Sequence, residues 1–170
     1  MYKISADFHC YRDAKRRFVW RDFPSFLAVI VYRYGHWCHN LKYKVIRYLL
    51  YLTYFPCSWF TWITTGIQIP KSTRIGKGLR IHHWGNIIIN GQAVIGDYCQ
   101  LRPGVIIGNL HDGNDVPKIG NHVSVGGGAK ILGNISIGDH AKIGANAVAI
   151  KDVPEHATAV GVPARIILHS

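Results

Sequence analysis

Residues 119–143 read IGNHVSVGGGAKILGNISIGDHAKI, and the spacing of their aliphatic side chains decides the fold. An isoleucine or valine recurs every six positions, and a second small or aliphatic residue stands two positions before most of them. The recurring residues are Ile119, Val125, Ile131, Ile137 and Ile143. Side chains two positions apart point to the same side of a strand, so each pair turns inward from a short strand. A helix would repeat about every 3.6 residues instead.

The same period runs through the whole second half of the chain, from Gly66 onward. Earlier members of the series are Ile69, Ile75, Ile81, Ile89, Ile95, Leu101 and Ile107. Glycine followed by a polar residue comes directly after several of them, as at Gly96-Asp97, and such pairs favour tight turns. A short inward-facing strand followed by a corner every six residues predicts a parallel β-solenoid, in which each coil stacks on the one before it.

The period breaks at two places. Within residues 82–86 two extra residues enter, so the chain must bulge from its coil there. Residues 108–117 lack the expected aliphatic side chain at Gly113 and are rich in turn formers, which predicts a loop. Binding and catalytic residues commonly lie at such departures from a regular scaffold. Both breaks contain histidine, the side chain whose pKa suits proton transfer near neutral pH.

The first part of the chain has a different composition. Residues 1–65 are rich in aromatic and basic side chains, and the stretches 26–34 and 45–52 predict helices. These helices are expected either to cap one end of the solenoid or to lie on a membrane surface, with tryptophan and tyrosine at headgroup depth. We therefore expect a helical segment at 1–65, a β-helix that carries the site at 66–150 and a C-terminal tail at 151–170.

Charge and cysteine usage limit the partners and the compartment. Lysine and arginine number 20 against nine acids, a formal net charge of +11, which favours an anionic partner such as a cofactor phosphate or a membrane surface. The four cysteines form no C-x-x-C pair, so we predict neither a zinc ribbon nor a disulfide scaffold, and we expect a cytoplasmic protein. The apolar run Tyr48–Ile63 is interrupted by Pro56 and is shorter than the ~20 residues that cross a bilayer. Peripheral contact with the inner face of the cytoplasmic membrane is the most that we expect.

Three motifs point to a family. VGGGAKILGNI at residues 125–135, AKIGANAV at 141–148 and VGVPAR at 160–165 follow one another in the repeat region. In this order they resemble the serine acetyltransferase branch of the hexapeptide-repeat acyltransferases. The basic N-terminal segment and the departures described below make the chain more similar to the relatives that act in capsule and exopolysaccharide assembly. The resemblance implies a mainly β fold, a left-handed parallel β-helix preceded by a helical segment. It also implies a homotrimer that binds acetyl-CoA as a co-substrate between subunits, without a metal.

The resemblance implies individual site residues as well. The family's catalytic histidine falls on His83, inside the bulge, where a neutral imidazole would accept the proton of an attacking hydroxyl and return it to the departing thiolate. The alternative is that His83 only fills the bulge. The family's cofactor positions fall on Gly108, Asn109, Gly127, Lys142, Ala145 and Arg165. For Lys142 and Arg165 the alternative is simple solvation.

Four positions, at three places in the chain, depart from the serine enzymes. Gln68 replaces an aspartate, His82 replaces the acidic residue before the catalytic histidine, and Asp115-Val116 replaces an Arg-His pair. Because a bound ammonium and carboxylate need oppositely charged partners, these changes argue against free serine. They favour a carbohydrate acceptor, a sugar hydroxyl of a polysaccharide or of its lipid-linked precursor. Expected acceptor-binding residues are His82, Trp84, His111 and Asp112. The alternatives are packing for Trp84 and a solvated turn for His111 and Asp112.

Other functions compete with this hypothesis. Serine O-acetylation in cysteine biosynthesis is the first, and a non-catalytic scaffold is the second. A zinc carbonic anhydrase on the same solenoid would need two histidines five residues apart, and no two of the ten have that spacing. Nucleic-acid binding would account for the charge but not for the period, so it is not predicted.

Overall fold

Helices form the first part of the molecule. A computed structural model of the chain describes residues 2–13, 15, 17–111, 113 and 115–168. Its helices are α1 (Tyr2–Cys10), α2 (Phe23–His39) and α3 (Lys44–Thr65), with a 3₁₀ turn at Trp20–Asp22 before α2. The predicted N-terminal helical segment is confirmed. Gly66 ends α3 in the left-handed conformation, with φ 68°, which glycine adopts without steric cost.

Short strands make up the remainder. They are β1 (Ile67–Gln68), β2 (Arg74–Ile75), β3 (Arg80–Ile81), β4 (Ile87–Ile89), β5 (Val94–Ile95), β6 (Gln100–Leu101), β7 (Ile106–Gly108), β8 (Lys118–Ile119), β9 (Ser124–Val125), β10 (Lys130–Leu132), β11 (Ser136–Ile137), β12 (Lys142–Ile143), β13 (Val148–Ala149), β14 (Thr158–Val160) and β15 (Arg165–Ile167). Each of them is two or three residues long because a corner interrupts each strand.

The strands stack into three sheets, which we call faces 1, 2 and 3. Face 1 has the order β1-β4-β7-β10-β13, and face 2 has the order β2-β5-β8-β11. Face 3 has the order β3-β6-β9-β12-β14-β15, parallel except for the β14–β15 pair. From β1 to β13, successive strands belong to successive faces, so the chain winds around a three-sided prism. The predicted left-handed parallel β-helix is confirmed as the fold class.

The register locates both breaks in the period. An uninterrupted coil advances by 18 residues, as from Ile131 to Ala149. The coil that contains residues 82–86 advances by 20, from Ile67 to Ile87. The coil that contains residues 108–117 advances by 24, from Ile107 to Ile131. The bulge and the loop predicted from the sequence are therefore both present.

Inward side chains fill the prism. The buried members of the six-residue series are Ile69, Ile75, Ile81, Ile89, Ile95, Leu101, Ile107, Ile119, Val125, Ile131, Ile137 and Ile143. Cys99 is buried beside them, and its thiol donates to the Gly120 carbonyl oxygen at 3.1 Å. Burial raises the pKa of Cys99 to about 11, so the thiol is protonated at neutral pH and serves packing.

The solenoid continues beyond residue 150, where the sequence predicted its end. Val153 bridges to Ile137, β14 pairs with β12 in parallel, and β15 lies antiparallel against β14. The described part of residues 151–170 is thus a last coil and a covering strand, which corrects the expected tail. Val153 follows Ala149 by only four positions, and this shortened corner breaks the six-residue spacing that revealed the other coils.

Buried polar contacts attach the helices to the first coil. The Arg33 guanidinium of α2 binds both carboxylate oxygens of Asp7 in α1, with Nε–Oδ2 2.8 Å and Nη2–Oδ1 3.1 Å. Arg33 also donates to the Ile75 carbonyl oxygen at 2.9 Å and to the Gly76 carbonyl oxygen. Asp7 accepts the Leu79 N–H at 2.9 Å. Because these backbone partners belong to the first coil, the pair fixes α1 and α2 to that end of the prism.

A column of rings follows the edge between faces 2 and 3. Tyr98, His122, His140 and His156 occupy the same corner of four successive coils, with ring centroids 5.2, 4.8 and 4.9 Å apart. All four have a left-handed backbone, with φ between 55° and 59°. This column was not predicted, because the six-residue series concerns only the inward side chains.

Candidate active site

The bulge lies on the edge between faces 3 and 1, and it carries His83. We call this edge, formed by the stacked corners at residues 83–85, 102–104, 126–128 and 144–146, the His83 edge. Backbone hydrogen bonds join its corners. The Gly128 N–H donates to the Pro103 carbonyl oxygen at 2.8 Å, and the Asn146 N–H donates to the Gly127 carbonyl oxygen at 2.8 Å. The edge is therefore a rigid column of backbone.

His83 is presented outward by its backbone. The residue is exposed and has a φ of 60°, a left-handed conformation that is uncommon for residues other than glycine. Its N–H donates to Oδ1 of Asp22 at 3.3 Å, and its carbonyl oxygen accepts the Ser25 hydroxyl at 2.5 Å. The imidazole itself makes no hydrogen bond to any residue that the structure describes. The backbone is thus held on both sides while the ring stays open to a substrate.

Asp22 is the buried one of the two residues that hold the His83 backbone. Its side chain is 1% exposed, and its Oδ2 lies 3.6 Å from Nη2 of Arg80 in the first coil. That same Oδ2 has no hydrogen-bond partner among the described residues. Asp22 ends the 3₁₀ turn directly before α2, where Pro24 occupies the first turn. The helical segment therefore positions the bulge as well as covering the coil.

With His83 as the catalytic base that the resemblance implies, removal of the Asp22 carboxylate is expected to lower kcat about 10- to 100-fold, since a small displacement of a catalytic group has an effect of that size. The KM for acetyl-CoA should stay within a factor of two, because the predicted cofactor residues lie on other coils. The measurement is steady-state CoA release by Asp22→Ala. Asp22→Asn keeps an acceptor for the His83 N–H and should recover most of kcat. A parallel rise of KM, or no rescue by asparagine, would show a general loss of structure instead.

The neighbouring His82 contacts a side chain of face 3. It is half-buried, and its Nε2–H donates to Oε1 of Gln100 at 3.0 Å. Burial lowers the pKa of His82, and the charges of Arg80 and Arg102 lower it further, so the ring is neutral near pH 7. His82 consequently supplies no negative charge beside His83. Its predicted acceptor-binding role stays a prediction, as does that of Trp84, which is 52% exposed.

The loop leaves the solenoid at a different edge. Residues 108–117 connect β7 on face 1 to β8 on face 2, so one face separates them from His83 in the same chain. Asn109 donates to the His111 carbonyl oxygen at 3.0 Å, and the His111 N–H donates to Oδ2 of Asp115 at 3.2 Å. Asp112 lies outside the described residues. Gly108, Asn109 and His111 are thus brought together with one another but not with His83.

The other predicted cofactor residues lie on the His83 edge and on face 3. Gly127 and Ala145 occupy successive corners of the edge. A side chain on neighbouring Gly126 would place its Cβ 2.5 Å from the Ala145 nitrogen, so these corners stack backbone on backbone. Lys142 and Arg165 are exposed, and both lie on strands that pair with β14. Positive charge therefore stands at the far end of face 3.

Sequence reasoning missed Asp22 and Ser25. The pattern Asp22-Phe23-Pro24 does predict the start of a helix, because proline is favoured in a first turn. Nothing in the local sequence links these residues to residue 83, about 60 positions further on.

Among the described residues, no three His, Cys, Asp or Glu side chains are grouped as a metal site would require.

Comparison with known proteins places this geometry in a family. Residues 117–150 match the model described as bacterial transferase hexapeptide (six repeats). A serine acetyltransferase of Helicobacter pylori is 39% identical over 148 residues, which cover 85% of this chain and 82% of that relative. A serine acetyltransferase of Synechococcus elongatus is 38% identical over 150 residues, and the chain spans only 59% of its length. The chain spans half of the Escherichia coli relative.

Solved structures agree with the sequence relatives. The soybean serine acetyltransferase apoenzyme superposes with a TM-score of 0.82 at 32% identity, over 98% of this chain and 68% of that chain. A serine acetyltransferase in complex with CoA superposes with a TM-score of 0.81 at 32% identity, with the same coverage. These comparisons support the serine acetyltransferase resemblance and an enzymatic role, but they do not support the capsule and exopolysaccharide branch or a part in polysaccharide assembly. With the repeat, the helical cap and this identity in agreement, the chain belongs to the serine acetyltransferase family of hexapeptide transferases.

Proposed function

We propose that the chain is an acetyl-CoA-dependent O-acetyltransferase whose acceptor is the hydroxyl of serine. The observation that carries the proposal is the exposed His83, held by its backbone on an edge whose later corners, residues 126–128 and 144–146, consist mostly of glycine and alanine. The named relatives support both the acetyl donor and the acceptor. One of the similar solved structures is a serine acetyltransferase bound to CoA, and another is the soybean enzyme complexed with serine.

The open ring of His83 suits one proton-transfer sequence. Neutral imidazole accepts the hydroxyl proton while the acceptor oxygen attacks the thioester carbonyl carbon. The new C–O bond forms, the C–S bond breaks, and the imidazolium returns its proton to the CoA thiolate. His83 ends neutral, and the products are the O-acetyl ester and CoA with a free thiol. Asp22 and Ser25 contribute only by holding the backbone that aims the ring.

The proposed acetyl-CoA site combines small residues and cations. Gly127 and Ala145 let the cofactor approach the backbone of the His83 edge, while Lys142 and Arg165 offer charge to its phosphates. A homotrimer belongs to the proposal because Gly108, Asn109 and His111 lie one face away from His83. A neighbouring copy would bring such a loop beside a His83 edge.

A sugar hydroxyl is a second candidate acceptor. Gln68 is uncharged where the serine enzymes have an aspartate. It lines a cleft of about 270 Å³ between α2, α3 and β1, together with aromatic side chains that include Trp59 and Trp62. A neutral, aromatic cleft suits a sugar ring better than a zwitterion. The comparisons favour serine over this carbohydrate acceptor.

One assay separates the candidates. CoA release is measured with acetyl-CoA and L-serine, with L-alanine as the control that lacks a hydroxyl, and the product is identified by mass spectrometry. We expect O-acetylserine with L-serine and no release with L-alanine. Turnover with a sugar or nucleotide-sugar acceptor but not with L-serine would replace the first candidate by the second. Failure to bind acetyl-CoA in calorimetry would refute both and leave the scaffold hypothesis.

A further inference from the structure

The outward side of α3 is apolar along its whole length. Ten large apolar side chains of this helix are exposed: Val45, Ile46, Tyr48, Leu49, Leu52, Phe55, Trp59, Phe60, Trp62 and Ile63. We call this set the α3 outer face. Tyr54, Thr61 and Thr65 are the buried residues of α3 among those described. Most of the large apolar side chains of the helix therefore face outward, while its buried residues are a tyrosine and two threonines, the reverse of an ordinary surface helix.

The spacing makes this face continuous. Val45, Leu49, Leu52, Trp59 and Ile63 follow one another at intervals of three, four or seven, so they form one stripe along the helix. Leu52 is 72% exposed and Trp59 is 63% exposed. Monomeric proteins rarely expose a continuous apolar patch larger than a few hundred Å². A patch of this extent marks a contact surface.

An apolar groove widens the patch beside the stripe. It holds about 290 Å³ between α2 and α3, and its lining residues are Leu27, Val31, Pro56, Cys57, Phe60 and Thr61. Phe60 belongs to both the groove and the outer face. Five further exposed aromatics lie on the described part of the helical segment outside α3: Phe8, Trp20, Phe23, Trp37 and Tyr43.

Charge around the face is of one sign. Residues 23–96 contain no aspartate or glutamate, and their lysines and arginines are Arg33, Lys42, Lys44, Arg47, Lys71, Arg74, Lys77 and Arg80. Lys42 and Lys44 are exposed where α3 begins. The Lys71 ammonium lies 5.0 Å from the ring centroid of Phe55, at the margin of the outer face. The apolar stripe is thus bordered by cations.

We propose that the α3 outer face lies flat on a bilayer that contains anionic lipid. Such a surface offers hydrocarbon to the stripe, an interfacial layer that suits tryptophan and tyrosine, and negative headgroups to Lys42 and Lys44. A second copy of the chain meets these needs less well, since residues 23–96 of the copy would bring cations and no carboxylate to the same contact. No helix among the described residues is long and apolar enough to span a membrane, so the helix lies in the interface plane. This proposal does not depend on the acceptor.

The test is flotation of the full-length chain with phosphatidylcholine vesicles, with and without phosphatidylglycerol. We expect binding to the anionic vesicles and weak binding to the neutral ones. Lys42→Gln with Lys44→Gln should weaken binding to the anionic vesicles about 30-fold, because the contributions of two basic residues to the binding constant multiply. Leu49→Gln, Leu52→Gln and Trp59→Gln together should abolish it. All three side chains are solvent-exposed, so the fold should survive, which circular dichroism checks.

The matched control removes the same amount of positive charge from another part of the protein. Lys118→Gln with Lys151→Gln removes two exposed lysines from the solenoid and should leave vesicle binding within a factor of two. Equal losses from the two lysine pairs would mean nonspecific adsorption of a basic protein and would overturn the proposal. So would absence of binding at low ionic strength. A change of oligomeric state in the triple variant, without vesicle binding in the unaltered chain, would assign the face to a second copy.

Discussion

Substitution of His83 by alanine is expected to lower kcat by about 10²–10⁴-fold, the usual contribution of a general base. The fold should persist, because His83 is exposed and its contacts to Asp22 and Ser25 use its backbone. Acetyl-CoA affinity in calorimetry should change by less than a factor of two. The measurement is CoA release with saturating acceptor, compared with the unaltered chain at equal concentration.

His140→Ala is the matched control for this substitution. His140 is also an exposed histidine with a left-handed backbone, φ 58°, but it lies on the edge between faces 2 and 3. Its replacement should leave kcat unchanged. His83→Asn is the second variant, because asparagine tolerates the left-handed conformation and removes the base while keeping the bulge. Turnover retained by both His83 variants would refute general-base catalysis by this residue.

Substitution of Asp7 by alanine is expected to lower the free energy of unfolding by about 3–5 kcal/mol. Arg33 is buried, and without Asp7 its guanidinium keeps only the carbonyl oxygens of Ile75 and Gly76. An uncompensated buried charge of this kind is far more destabilising than the loss of an exposed ion pair. The Leu79 N–H loses its acceptor at the same time. Urea unfolding at a fixed protein concentration measures the change.

Two further variants test the cause. Glu155→Ala removes an exposed acid from the last coil and should change stability by less than about 0.5 kcal/mol. Asp7→Leu combined with Arg33→Met removes both charges and should recover part of the loss, since apolar residues often replace a buried ion pair without cost. A loss below about 1 kcal/mol for Asp7→Ala would contradict the role given to this pair.

Single substitutions in the sequence were not sufficient to predict the acceptor. Gln68, His82 and Asp115-Val116 differ from the residues implied by the serine enzymes, and those differences favoured a carbohydrate. The relation to serine acetyltransferases extends over 85% of the chain and favours serine. A lost charge at one position excludes a substrate only if no other side chain, on this copy or a neighbouring one, replaces it. The sequence does not show which side chains meet there.

The six-residue pattern of the sequence suffices to predict the solenoid, the bulge at residues 82–86 and the loop at 108–117. It could do so because a β-helix repeats one local pattern, in which every inward side chain and corner is encoded within six residues. The tertiary structure alone decided that Asp22 and Ser25 clamp the His83 backbone, that Asp7 and Arg33 fasten the helices, and that α3 turns its apolar side outward. These contacts join residues 26 to 72 positions apart. Such pairs leave no periodic trace, because they depend on how the helical segment packs against the first coil.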